Sequence, residues 1–170
     1  TVGFDVDLTK CEALAAGRSY LKHLGDDRIA QLNESGLFSA TTEFDRLSEP
    51  DIVVICVPTP LTRHREPDLS YLVSTTEEIA KRLRKGQLVI LESTTYPGTT
   101  DEVMLPILEK SGMRAYEDYF LAFSPEREDP GNEGFNTSTI PKVVVADTEE
   151  ARSLSRAFYG VFLEQVDKVS

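Results

Sequence analysis

Tryptophan is absent from this chain of 170 residues, and cysteine, histidine and methionine occur only twice each. Two cysteines cannot build the disulfide framework that holds small secreted domains together. Cys11 and Cys56 lie far apart, each within an apolar stretch, and read as small buried hydrophobes. With only His23 and His64 to add to them, no zinc site assembles at standard spacings, and no metal is expected. Positive charge is scarce as well: 18 Lys and Arg face 29 Asp and Glu, a formal net charge of −11. Nucleic acids and anionic membranes are gripped by clustered Lys and Arg, so neither is an expected partner. The acids are dispersed among bases, as on a solvated surface. No apolar run approaches the roughly 20 residues that span a bilayer. No basic leader with an apolar signal core opens the sequence, and the expected location is cytoplasmic.

What is present is an alternation. An apolar fraction of 40%, with eight Phe and six Tyr, suits one globular domain or one and a part. "TVGFDVD" reads as a strand, and "LTKCEALAAG" as a helix with Leu8, Cys11, Leu14 and Ala15 on one face and Gly17 as its terminator. "DDRIAQLNESG" predicts a short helix, and "LFSATTEF" a strand that leads into another short helix. "DIVVICVP" and "QLVILES" are continuous apolar runs of the kind buried on both faces of a parallel sheet. Between them a long helix is predicted from about Leu69 to Lys85, closed by Gly86. "GTTDEVMLPILEKSG" predicts a helix interrupted near Pro106. "YFLAFSPE", "KVVVAD" and a helix in "TEEARSLSRAFYGVF" continue the series. Strand and helix in regular succession predict an α/β fold with a doubly wound, Rossmann-like, mostly parallel sheet.

In such sheets ligands bind beyond the carboxyl ends of the strands. The first strand ends in Asp5, with Lys10 five residues on. The next buried strand ends in "VPTP", where Pro58 and Pro60 stiffen the wall that carries Thr59. The third ends in "ESTTYPG", which sets the hydroxyls of Ser93, Thr94 and Thr95 ahead of a helix start. The fourth ends in "SPEREDPGN", with Glu126, Arg127, Glu128 and Asp129 together. Each has a plainer reading too. Asp5 also suits a helix N-cap or a solvated acid, the threonines suit turns, and Arg127 among acids suits a weak salt-bridge cluster. Four polar segments on one sheet edge, three of them marked by proline, favour a ligand site.

The segments "GFDVDLTKCEAL", "VPTPL", "PDLSYL", "ESTTYPGTTDEV" and "SPEREDPGN", in this order and spacing, resemble the NAD-binding domain of the UDP-glucose/GDP-mannose dehydrogenase family. "SPEREDPGN" and "GRSYLKHL" are most similar to the branch that oxidises UDP-N-acetylhexosamines. The resemblance covers essentially the whole chain. It implies NAD-dependent oxidation of a sugar C6 alcohol to a uronic acid for surface polysaccharide synthesis. By motif, it implies that Asp5 binds the adenosine ribose hydroxyls, with Lys10 beside them. Pro58, Thr59, Ser93 and Thr94 would line the nicotinamide side, with Thr94 also placing a catalytic water. Glu126 would assist water or proton handling in the hydrolytic step, and Glu126, Arg127 and Glu128 would contact the UDP-sugar.

Parts of the family pattern have no counterpart here. The first strand and glycine-rich loop are expected upstream of Thr1, so residues 1–170 read as a partial NAD-binding domain. The connecting helix with its Lys, and the substrate-binding domain with the nucleophilic Cys, are expected beyond Ser170. Neither Cys11 nor Cys56 matches that nucleophile, so this chain alone is expected to be inactive. A homodimer is expected of the intact protein. Two other readings stay open: a UDP-glucose 6-dehydrogenase, and a non-catalytic α/β binding module.

Overall fold

The computed structural model describes residues 1–21, 24–63, 65–126, 141–163 and 165–169. The chain forms two compact units, Thr1–Pro50 and Asp51–Ser170.

In the first unit, β1 (Val2–Phe4) is followed by α1 (Leu8–Ala15), α2 (Asp26–Glu34), β2 (Ser39–Thr41) and a 3-10 turn at Phe44–Ser48. β1 and β2 pair in parallel, Val2 with Ser39 and Phe4 with Thr41. Asp7 caps α1: its carboxylate accepts from the Thr9 amide at 2.9 Å. At the other end Gly17 has φ +72°, the Arg18 amide reaches back to Ala13 and the Gly17 amide to Leu14. That is a Schellman closure, which needs the left-handed conformation glycine adopts cheaply. Asn33 of α2 donates to the Leu14 carbonyl at 2.7 Å, tying the helices together. Cys11, Ile29 and Leu47 are buried.

In the second unit a five-stranded sheet runs in the order β3 (Ile52–Ile55), β4 (Leu88–Leu91), β5 (Phe120–Phe123), β6 (Lys142–Val145), β7 (Val166–Val169). The first three strands are parallel; β6 runs against β5, and β7 lies parallel to β6. α3 (Ser70–Ala80), α4 (Leu105–Leu108) and α5 (Glu149–Tyr159) complete the unit. Leu88, Ile90, Ala122 and Val144 form one buried cluster with Ala151, Tyr159 and Leu163 of the α5 region. Val89 and Leu91, facing the other way by alternation, are equally inaccessible. Leu72, Ile79, Met104 and Leu108 are buried where α3 packs on α4. Thr76 and Ser155 are buried inside helices and bond back to the carbonyls four residues earlier.

Several expectations change. The predicted helix to Lys85 stops at Ala80, because the Gln87 side chain accepts from the Arg84 amide at 2.8 Å and turns the chain. The helix around Pro106 becomes a widened π turn at Thr100–Met104, then α4, then a 3-10 turn at Glu109–Ser111. Pro106 has no N–H to give, and the irregular turns absorb the missing bond. β7 was not foreseen. The four ligand-bearing strand ends, expected on one sheet, belong to two: Asp5 follows β1 of the two-stranded sheet, and the other three segments follow β3, β4 and β5. Cys56, expected in the core, lies just beyond β3 with its residue surface exposed, while its sulfur turns inward toward Glu92.

Candidate functional site

At the end of β1 the Asp5 amide still bonds across to Thr41, at 3.3 Å, so the strand positions the residue. Its carboxylate accepts from the Asp7 amide through one oxygen and from Lys10 Nζ through the other, both at 2.9 Å. Asp7 takes the capping role, so Asp5 is not the N-cap that its sequence position also allowed. The Lys10 ammonium lies 5.6 Å from the centre of the Tyr20 ring. The hydrogen bond to Asp5 holds the Lys10 pKa above its ordinary value. A carboxylate has about four acceptor positions. Two are used here, and the half-buried Asp5 keeps others for hydroxyl donors, the chemistry a nucleotide ribose offers.

In the second unit Ser93 ties two strand ends. Its hydroxyl accepts from the Val57 amide at 2.8 Å and donates to the Val57 carbonyl at 2.7 Å. Ser93 is buried, and its hydroxyl is committed to this tie rather than presented to a ligand. Thr59 donates to the Thr94 carbonyl at 2.7 Å, a second cross-link between the same loops. Pro58 and Thr94 are exposed. Of the predicted residues in this unit, Pro58, Thr59, Ser93 and Thr94 are therefore brought together. Arg127 and Glu128 lie outside the described residues.

Beside these loops the predicted Glu126 joins a polar cluster whose other members, Glu92, Lys142, Tyr159 and Cys56, sequence reasoning did not assign to the site. Lys142 Nζ lies 3.0 Å from Glu92 Oε1 and 3.3 Å from Glu126 Oε2. The Tyr159 hydroxyl also donates to Glu92 Oε1, in a very short hydrogen bond. The Cys56 thiol faces Glu92 Oε2 at 3.4 Å. Burial of the sulfur, then the Glu92 charge, push the Cys56 thiol up to about 12, so it stays protonated and is a poor nucleophile. Burial and the same carboxylate push the Tyr159 phenol up as well. For Lys142 the signal in the sequence was a lysine opening the apolar strand "KVVV". A cleft of about 340 Å³ in this unit is lined by Thr95–Asp101, Tyr116, Leu121–Phe123 and Val145–Asp147. It includes none of Thr59, Thr94 and Glu126, and the polar groups, not the cleft, mark the site. Among the described residues no three metal-ligating side chains converge, and no helix is long and apolar enough to cross a membrane.

Residues 1–163 match the family model described as UDP-glucose/GDP-mannose dehydrogenase family, NAD binding domain. The chain belongs to this family. Its nucleotide is NAD, which the Asp5 carboxylate suits by its free acceptor positions. The UDP-N-acetyl-D-glucosamine 6-dehydrogenase of Pseudomonas aeruginosa is 39% identical over 159 residues, 93% of this chain and 37% of that protein. The UDP-N-acetyl-D-mannosamine dehydrogenase of Pyrococcus horikoshii is 29% identical over 164 residues, 96% of this chain and 39% of that one. The crystal structure of the NDP-N-acetyl-D-galactosaminuronic acid dehydrogenase from Methanosarcina mazei Go1 superposes with a TM-score of 0.91 at 33% identity. That match covers 99% of this chain and 38% of the other. The chain thus spans well under half the length of these family members.

Proposed function

We propose that the full-length protein oxidises the C6 alcohol of a UDP-N-acetylhexosamine to a uronic acid with NAD, as a cytoplasmic homodimer serving surface polysaccharide synthesis. The observation that carries this reading is the likeness, over nearly the whole chain, to dehydrogenases named for N-acetylhexosamine substrates. Alcohol to carboxylate is a four-electron oxidation. NAD, when bound, takes up a hydride, two electrons at a time, so two NAD are consumed per sugar.

The chain's own residues bind, orient and move protons. Asp5 accepts hydrogen bonds from the ribose hydroxyls, and Lys10 holds that carboxylate in place. Pro58, Thr59 and Thr94 face the nicotinamide, and Ser93 serves them by fixing Val57. Thr94 holds a water for the hydrolytic step, and Glu126 receives its proton. Arg127 and Glu128 contact the sugar nucleotide.

The test is an initial-rate assay of NAD reduction by the full-length protein with UDP-N-acetylglucosamine, UDP-N-acetylmannosamine and UDP-glucose. Higher kcat/KM with either N-acetylated sugar, and two NADH per sugar consumed, is the expected result. UDP-glucose as the better substrate overturns the specificity. No reduction with any of the three overturns the enzymatic reading and favours a binding module.

A further inference from the structure

Lys142 opens β6, the strand that runs against β5. Their register is fixed by the pairing of Phe123 with Val145. In an antiparallel ladder a step forward on one strand is a step back on the other. Glu126 lies three residues past Phe123, and Lys142 three before Val145, so reversing β6 sets the two level at the carboxyl edge of the sheet. A β6 parallel to its neighbour would have put this lysine at the opposite edge.

A lysine as buried as Lys142, at 8% exposure, is costly unless its charge is paired. It has three donors, and the two carboxylates lie at 3.0 Å and 3.3 Å. Their surroundings differ. Glu92 is largely buried and held on two further sides, by the Tyr159 hydroxyl and the Cys56 thiol. Glu126 is about half exposed. The aromatic face of Tyr159, 5.3 Å from the ammonium, limits where the lysine can swing. The arrangement is an anchor, a bridge and a working end.

We propose that Lys142 is a positioning residue: anchored by Glu92 and Tyr159, it holds the Glu126 carboxylate in the orientation from which that group handles the proton of the attacking water. The inference rests on the role given to Glu126 above. The competing account is that Lys142 only balances the buried charge of Glu92.

The two accounts part on Lys142→Met, Lys142→Arg and the double variant Glu92→Gln/Lys142→Met in the full-length protein. With a positioning role, Lys142→Met lowers kcat by about tenfold or more, a fraction of the 10²–10⁴-fold that a general base supplies. Both KM values stay within about threefold, and Lys142→Arg restores most of the rate. The double variant removes the buried charges together, so its melting temperature returns toward wild type while its kcat does not. Recovery of kcat with the melting temperature, or an unchanged kcat in Lys142→Met, overturns the proposal.

Should the wild-type protein oxidise none of the three sugars, the functional reading falls by itself. Crystal structures of wild type and Lys142→Met then judge the geometry. A Glu126 carboxylate displaced by about 1 Å, a shift that can cost about 10²-fold in rate, supports the positioning role. A carboxylate that keeps its place overturns it.

Discussion

Ser93 and Thr94 are neighbours with hydroxyls in opposite situations, and the pair offers a sharp prediction. Replacing Ser93 by Ala removes both hydrogen bonds to Val57 and leaves a half-buried amide and carbonyl without their partner. Stranding a buried partner costs about 1–3 kcal/mol. Water can reach Val57 in part, which places the loss at about 1–2 kcal/mol. With a urea dependence of about 2 kcal/mol per molar, the unfolding midpoint falls by about 0.5–1 M at constant slope. Thr94→Ala deletes an exposed hydroxyl with no partner among the described residues. Its stability should stay within about 0.5 kcal/mol of wild type, while turnover of the full-length protein falls about tenfold or more if the hydroxyl places the water. Urea titrations followed by circular dichroism, with steady-state rates beside them, read both effects. A midpoint shift under about 0.2 M for Ser93→Ala refutes the claim that this hydroxyl holds the two strand ends together.

Two more predictions concern charge. Cys56 should be alkylated by iodoacetamide at pH 8 at least about a hundredfold more slowly than an unperturbed thiol, because the thiolate is the reactive form. Glu92→Gln should speed that reaction, and mass spectrometry of the modified peptide checks both; a rate like that of free cysteine refutes the assigned environment. Asp5→Asn keeps a side-chain acceptor but loses the charge, so NADH binding should weaken by about tenfold, the difference between charged and neutral acceptors. Its unfolding midpoint should hardly move, since the pair with Lys10 is open to solvent. Fluorescence titration decides, and an unchanged affinity removes Asp5 from the ribose site.

Much of the fold was legible because burial writes itself into composition. Ile52–Ile55 and Leu88–Leu91 are apolar throughout, and both became parallel strands. That Asp5 follows a strand was legible, because an apolar run that ends in an acid marks where the strand stops. Strand direction was not legible, since side-chain alternation is the same whichever way a strand runs, and the reversed β6 passed for one more parallel strand. The end of α3 was hidden as well: "KRLRKG" suits a helix, and only the Gln87 side chain shows why it turns. Apart from Glu126, the polar cluster escaped because its members are distant in sequence. Glu92 and Tyr159 are 67 positions apart, and no local pattern marks such a pair. Cys56 misled because an apolar run does not reveal where its strand stops.

The π turn at Thr100–Met104 carries a consequence of its own. Such a turn holds one residue more than an α-helical turn, and each residue of an α-helix advances the face by about 100°. The extra residue therefore acts as a phase shifter: it rotates everything after it by that angle, and only then do Ile107 and Leu108 meet the core that buries them. Deleting one residue from this segment would make a more regular helix and a worse protein, with a polar stripe turned inward and an apolar one presented to water.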